Sequence, residues 1–491
     1  MQSVSSPLKN RLVSVSHAVS RQLFVPVDIS FLAFFRIVYG LTMLWYASSL
    51  IISDEGWIKR LYIDPVFHFT WYGFEWIRPW PGAGMYIHFV VMVALSICVT
   101  FGFYYRIAAP FLCACFSYLF LLEQTSYQNH NYLIVLIGLL MAILPAHRAF
   151  AVDAIRVPTI RSAAVSAWAL WILRIQIGIP YLFGGTAKLS GDWLQGAPIR
   201  LLLADKGGYP LIGPYVDQDW MIFFFAWGSL AFDLLVVPLL LWQRTQKTAF
   251  ILSVAFHLAN AALFHISVFP WLMIGATTVF FRPEWPRYLW RQRRRTAVER
   301  VDSSGNGSLS LKKKLIVVGL GAYVSVQLLA PFRHFLYTGN VDWTEEGARF
   351  AWRMMLREKK VRLDFIATHT ETGQTVNVNP KPYLARYQAV RLQDPDMVLQ
   401  FSKFLAQQLK TSPEDQVEIR ASMLVSLNGR RPQALIDPKI NLAAEHRSLR
   451  HKPWILPLKE PLREETWTLP VHQWDVLLSH HSNTGKTNSQ K

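Results

Sequence analysis

The chain has 491 residues, of which 52% are hydrophobic, 14% aromatic and only 17% charged, and its formal net charge is +18. That charged fraction is well below the quarter or so usual in soluble domains, and apolar runs of membrane-spanning length recur through the first two thirds, which excludes a soluble globular protein. The positive charge does not point to nucleic acid, because the basic residues stand between apolar runs and in one linker and no nucleic-acid module is legible. Anionic lipid headgroups are the simpler partner.

Residues 1–29 read as a basic cytoplasmic segment. The apolar run that follows is too long for the core of a cleavable signal peptide, so it is expected to remain as the first span. A helix crossing about 30 Å of hydrocarbon needs roughly 20 apolar residues. Spans are therefore expected near 30–52, 85–105, 107–122, 131–145, 165–185, 220–242, 247–264, 267–281 and 315–332, about nine in all. The run from 248 to 281 is too long for one helix, and His265 with Pro270 marks the turn that divides it. Cys98, Cys113 and Cys115 all lie inside apolar runs and read as small packing residues; they offer no disulfide framework and no metal-ligand spacing, so no metal is expected.

A basic cytoplasmic linker is expected at 282–314, with the flexible Gly/Ser-rich stretch VDSSGNGSLSL at 301–311. Composition then changes. VRLDFIATHTETGQTVNVNP alternates like a hairpin, and VEIRASMLVSLNGRRPQALIDP reads as two strands turned at Asn428-Gly429. Residues 394–410 have helical spacing, with Asp394 or Asp396 as the cap. The fold class is thus a polytopic α-helical membrane domain (30–335) followed by a small, β-rich α+β extracytoplasmic domain (336–480) and a disordered tail (481–491). With the N-terminus inside, the expected inner segments hold 19 Lys and Arg against 6 in the outer loops, which orients the chain and puts the C-terminal domain outside.

Polar groups within spans are expensive. Arg36, Arg174, Asp233 and His257 lie among apolar residues. They read as structural intramembrane groups, Asp233 pairing with one of the two arginines, or alternatively as a charged pathway for an ion or substrate. A second set gathers on the outer side: His130 opens the fourth span, Lys188 closes the fifth and His334 closes the ninth. Each alone is simplest as an interfacial anchor or cap. Lys188 follows Gly184-Gly185 and the small Thr186-Ala187, however, so helices can pack closely there and desolvate the amine.

The spans resemble the vitamin K-dependent gamma-carboxylase family and its bacterial relatives with the same HTTM-like core. The resemblance rests on FFRIVYGLTMLWY, QNHNYLIVLIGLLMAILPAHR, YLFGGTAKLSGDWL, FHLANAALFHISVFPWLMIGA and WTEEGARFAWRMML, with NPKPYL and DPDMVLQF following. It implies an enzyme that oxygenates vitamin K hydroquinone, or a menaquinol-type quinol, to the epoxide and uses the strong base so formed to carboxylate glutamate side chains. Oxygen and carbon dioxide are co-substrates, and the partners are the lipid bilayer, the quinol and a glutamate-containing peptide or protein. By the same resemblance Lys188 is the catalytic base, His130 hydrogen-bonds the quinone oxygen with Asn129 beside it, His334 lies close to the presented glutamate, and Trp352 falls in the glutamate region. The implied location is the cell inner membrane of a bacterium or the endoplasmic reticulum membrane of a eukaryote.

Three departures stand against the animal pattern. Ala187 replaces the first of a lysine pair, Ala348 and Ala351 replace aromatic and hydroxyl residues, and no cysteine follows Cys115 to link the two parts. Quinol chemistry is therefore better supported than recognition of a propeptide-bearing protein. The alternatives are a quinone-linked membrane enzyme acting on another substrate, and a non-catalytic transporter or scaffold. No inverted-repeat pairing of interrupted helices is visible to favour a transporter.

Overall fold

The structure, a computed structural model, describes residues 22–210, 212–264, 266–289, 310–412 and 414–474. The long helices are α1 (Ser30–Ile52), α2 (Gly84–Phe101), α3 (Tyr105–Leu122), α4 (Asn129–Ile143), α5 (Trp168–Ala187), α6 (Asp219–Leu241), α7 (Gln246–Phe264), α8 (Phe269–Thr277), α9 (Leu311–Leu329) and α10 (Pro395–Gln408). Each of the nine expected spans is helical, yet among the described residues only six helices are long and apolar enough to cross a membrane: α1, α2, α3, α6, α7 and α9 with its continuation to Leu336. Six of the nine meet that measure; the other three are helical but do not. Helix α4, and α8 with the turn that extends it to Phe280, are shorter apolar helices. Helix α5 has the length, but Arg174, Gln176 and its glycines dilute its apolarity. Most of the 301–311 stretch and all of the 481–491 tail lie outside the described residues.

Helix association in lipid depends on close packing and internal hydrogen bonds rather than on a hydrophobic driving force. Gly40 of α1 illustrates the first: a Cβ there would fall 2.3 Å from Thr100 Oγ1, so only glycine lets α1 and α2 touch. Arg36 illustrates the second. Its guanidinium is fully buried and donates to the carbonyls of Ala146 at 2.8 Å and Ala149 at 3.4 Å, and also to that of Phe150. Arg174 does the same with the carbonyls of Val279, Phe280 and Phe281 at 3.0–3.2 Å. Neither arginine meets Asp233. Carbonyls freed where helices end take most of the guanidinium hydrogens, Arg36 Nε alone being left without a partner, and the expected Asp233–arginine pair does not form. At that same end a two-stranded ribbon, β1 (Pro26–Asp28) with β2 (Ala164–Ser166), ties the approach to α1 to that of α5.

The C-terminal region is a four-stranded antiparallel sheet in the order β4-β3-β5-β6, with α10 on one face. Strand β3 (Lys359–His369) pairs with β5 (Val417–Leu427) along its whole length, and β4 (Thr375–Val378) and β6 (Gln433–Ala434) flank them. The Asn428-Gly429 turn takes the positive φ values, +50° and +80°, that such a hairpin needs. Asp394 caps α10 by accepting from Asp396 N at 2.9 Å. Val398, Phe401 and Leu405 of α10 are fully buried, each contributing about 1.5–3 kcal/mol.

This region sits on three connections that emerge at one end of the helices. Arg447 reaches Thr70 O (2.7 Å) between α1 and α2, Gln388 reaches Glu123 (2.9 Å) between α3 and α4, and Arg430 holds both carboxylate oxygens of Asp192 (2.6 and 2.7 Å) between α5 and α6.

Candidate active site

The pair at the centre of the site arises where α5 meets α6. A Cβ on Gly185 would stand 2.7 Å from Leu234 Cδ2 and 3.2 Å from Asp233 Cβ, so the glycine pair brings the end of α5 onto α6. Lys188, one residue beyond α5, then donates from Nζ to Asp233 Oδ2 at 2.6 Å, with the Trp193 ring 5.0 Å from the nitrogen. Both side chains are buried, at 8% and 5% exposure. A carboxylate this close fixes the nitrogen and supplies a second atom that can share its proton. Asp233→Asn keeps the shape and an acceptor oxygen but removes the charge. It is expected to leave a folded protein with at least about tenfold lower turnover, the range of a lost charge-assisted hydrogen bond. Turnover, per folded molecule, of the quinol that the resemblance implies measures this, and a wild-type rate would reduce the pair to a structural contact.

Lys188 and Asp233 line a cavity of about 1080 Å³, ample for a drug-sized ligand, whose sites run to about 300–1,000 Å³. His130, on the first turn of α4, lines it too, its ring stacked on Phe269 at 5.5 Å and, among the described residues, without a hydrogen bond to its ring nitrogens. Asn129 shares the wall; it accepts from Tyr127 Oη at 3.1 Å and donates to Arg353 O at 3.2 Å. His257 also belongs here and not to a separate structural network: its Nε2 lies 2.7 Å from Tyr181 Oη, and both residues face the cavity. Towards the hydrocarbon the walls are apolar. Phe224, Leu235 and Leu252 line the cavity yet are 64%, 54% and 52% exposed, so the seam between α6 and α7 is open to lipid.

The end of the cavity beside the C-terminal domain is charged. The segment 344–357 folds over it with positive φ at Glu345, Gly347, Phe350, Trp352 and Met355, a concentration of sparsely populated backbone that tertiary structure must hold in place. From it Glu345, Arg349, Arg353 and Arg357 reach the wall, joined by Arg391 and Asp394. Arg353 pairs with Asp342 (2.6 Å), and Glu345 accepts from Arg357 Nε and Lys359 Nζ, both at 2.7 Å. Burial alone would raise the Glu345 carboxyl, but the Arg357 and Lys359 charges outweigh it and hold it below the usual range.

Two expected residues do not reach this wall. His334 Nδ1 lies 2.8 Å from Pro331 O, beneath Gly347. Trp352 is 1% exposed and packs on Tyr132 at 5.1 Å between ring centroids, while its neighbours Arg353, Met354 and Met355 line the cavity. Sequence reasoning missed this arginine-rich end altogether. The density of charge in WTEEGARFAWRMMLREKK, directly after a span, was the available signal.

The fold and the site thus define a multi-pass helical membrane protein whose cavity, apolar along the helices and charged at one end, lies between those helices and the C-terminal domain. The HTTM domain family model matches residues 24–285, more than half of the chain, and the vitamin K-dependent gamma-carboxylase lumenal domain model matches residues 312–461. No solved structure matches. The chain belongs to the vitamin K-dependent gamma-carboxylase family.

Proposed function

We propose that the protein is a vitamin K hydroquinone-dependent gamma-glutamyl carboxylase and epoxidase. The observation that carries this reading is one cavity with a lipid-open apolar end, the Lys188–Asp233 pair and His130 on its wall, and an arginine-rich outer end. That sequence of surfaces suits a lipophilic quinol at one end and an anionic, water-borne substrate at the other. The quinol, once oxygenated, supplies the strong base that a glutamate γ-hydrogen requires. The chain's own part is smaller. Lys188 Nζ takes a hydroxyl proton from the quinol, Asp233 holds that nitrogen and shares the proton, and a ring nitrogen of His130 hydrogen-bonds the quinol oxygen. The apolar walls keep bulk water from quenching the base.

Oxygen-dependent conversion of vitamin K hydroquinone to its epoxide by the purified chain, read by chromatography, tests the reading. Conversion no faster than in protein-free micelles would overturn it.

The proposed orientation is nine crossings, with the N-terminus in the cytoplasm and the C-terminal domain outside. It is supported by the Lys/Arg asymmetry and by the docking of that domain on the α1–α2, α3–α4 and α5–α6 connections. Reporter fusions at residues 300 and 400 are expected to read opposite sides of the membrane; the same side for both contradicts it.

A further inference from the structure

Every arginine on the outer wall of the cavity but one is spoken for. Arg349 pairs with Asp394, Arg353 with Asp342, and Arg357 with Glu345. Arg391, in the bend between the short helix Arg386–Val390 and α10, lines the same wall, and among the described residues no hydrogen bond or ion pair holds its guanidinium. Two residues on, the side-chain amide of Gln393 also lines the cavity, again without a partner among the described residues. The wall there carries four arginines against the two carboxylates of Glu345 and Asp394.

A half-buried guanidinium without a counter-ion has lost hydration and gained nothing for it. Burial draws its pKa down, with the Arg357 charge acting the same way and Glu345 opposing. A ligand carboxylate restores the balance, since its two oxygens match the guanidinium fork. The quinol is uncharged and has no use for such a group.

We infer that Arg391, with Gln393 beside it, receives the side-chain carboxylate of the substrate glutamate at the outer end of the cavity. Arg391 takes the carboxylate oxygens, and the Gln393 amide hydrogen-bonds the substrate's peptide group. The site lies on the wall that Lys188 shares, whereas His334 and Trp352 stand off it. The glutamate identity rests on the carboxylase reading; the carboxylate chemistry rests on the cavity alone.

Phenylglyoxal, which attacks guanidiniums not tied into ion pairs, tests this on the purified full chain, with peptide mass spectrometry locating the adducts. Arg391 is expected to react faster than Arg353 and Arg357. N-acetyl-glutamate methylamide is expected to protect it, while neither the glutamine analogue nor bicarbonate alone does so. Equal protection by the glutamine analogue or by bicarbonate, or no protection, overturns the inference. Arg391→Gln should raise KM for a glutamate peptide by about tenfold or more, the worth of one charged hydrogen bond, with KM for the quinol within about twofold. An unchanged peptide KM also overturns it. Protection by the glutamate analogue without any carboxylation would sustain the carboxylate site and refute the carboxylase reading. Carboxylation without protection would do the reverse.

Discussion

Lys188→Arg is expected to be nearly as inactive in hydroquinone epoxidation as Lys188→Ala, a loss of about a hundred- to ten-thousand-fold. A guanidinium stays protonated at any usable pH and offers no lone pair. Arginine nevertheless satisfies Asp233 and keeps the charge, so the fold is preserved while the proton acceptor is lost. If Lys188 served only to neutralise Asp233, 2.6 Å away, arginine would restore function and alanine would not. The pH dependence separates the two roles further. The defect of Lys188→Ala should shrink as pH rises, because the quinol then ionises without help. Epoxide formation by the two variants between neutral and alkaline pH makes the measurement; an arginine variant with most of the wild-type rate would remove Lys188 from the chemistry.

Glu345→Gln is expected to destabilise the C-terminal domain by about 3–5 kcal/mol, the cost of stripping one partner from a buried ionic group. Glu345 is the carboxylate that two cations share: Arg357 at 2.7 Å, and Lys359, whose side chain has no exposure, also at 2.7 Å. After the change Lys359 has only neutral acceptors, Trp343 O at 2.8 Å and the glutamine carbonyl oxygen, which Arg357 also claims. The melting temperature of the purified chain, followed by tryptophan fluorescence, should fall on the order of 10 °C.

The pH dependence has a definite sign. The Glu345 carboxyl is held below its ordinary value, so its stabilisation is complete above the normal glutamate range, near pH ~4.3, and is lost as pH falls through the depressed native value. Wild type should therefore lose stability below about pH 4 in a way that the glutamine variant does not. A variant within about 1 kcal/mol of wild type would mean the cluster is solvated and the charged end of the cavity is softer than its geometry implies.

The helical segments were legible because lipid admits few alternatives: an apolar run of sufficient length is a helix whatever its neighbours. Their sufficiency as spans was less so. Apolar content alone does not reveal that α4 stops at Ile143, ahead of the extended backbone at Leu144 and the Pro145 that follows. The β3–β4 and β5–β6 hairpins and the Asp394 cap could be read from alternation and turn chemistry, both of which are local.

The site divides along the same line. The crowding at Gly184-Gly185 was visible, since small residues announce close approach. The partner of Asp233 was not. Arg36 and Arg174 found backbone carbonyls 105 to 114 residues away in sequence, leaving Asp233 to the lysine that the α5–α6 crossing delivers. The five positive-φ residues of 345–355 likewise belong to tertiary structure; four of them lack the glycine that would have marked them.

The central claim is that one cavity couples quinol oxygenation to glutamate carboxylation. The most direct measurement incubates the purified full chain with vitamin K hydroquinone, oxygen, bicarbonate and a glutamate peptide, and records the peptide mass and the quinol products together. A gain of about 44 Da on glutamate, the mass of carbon dioxide, is expected only while epoxide is formed and is expected to disappear in Lys188→Ala, because the quinol-derived base is needed for both. Epoxide without any mass gain would contradict the coupling and leave a quinol-oxygenating enzyme with a different acceptor.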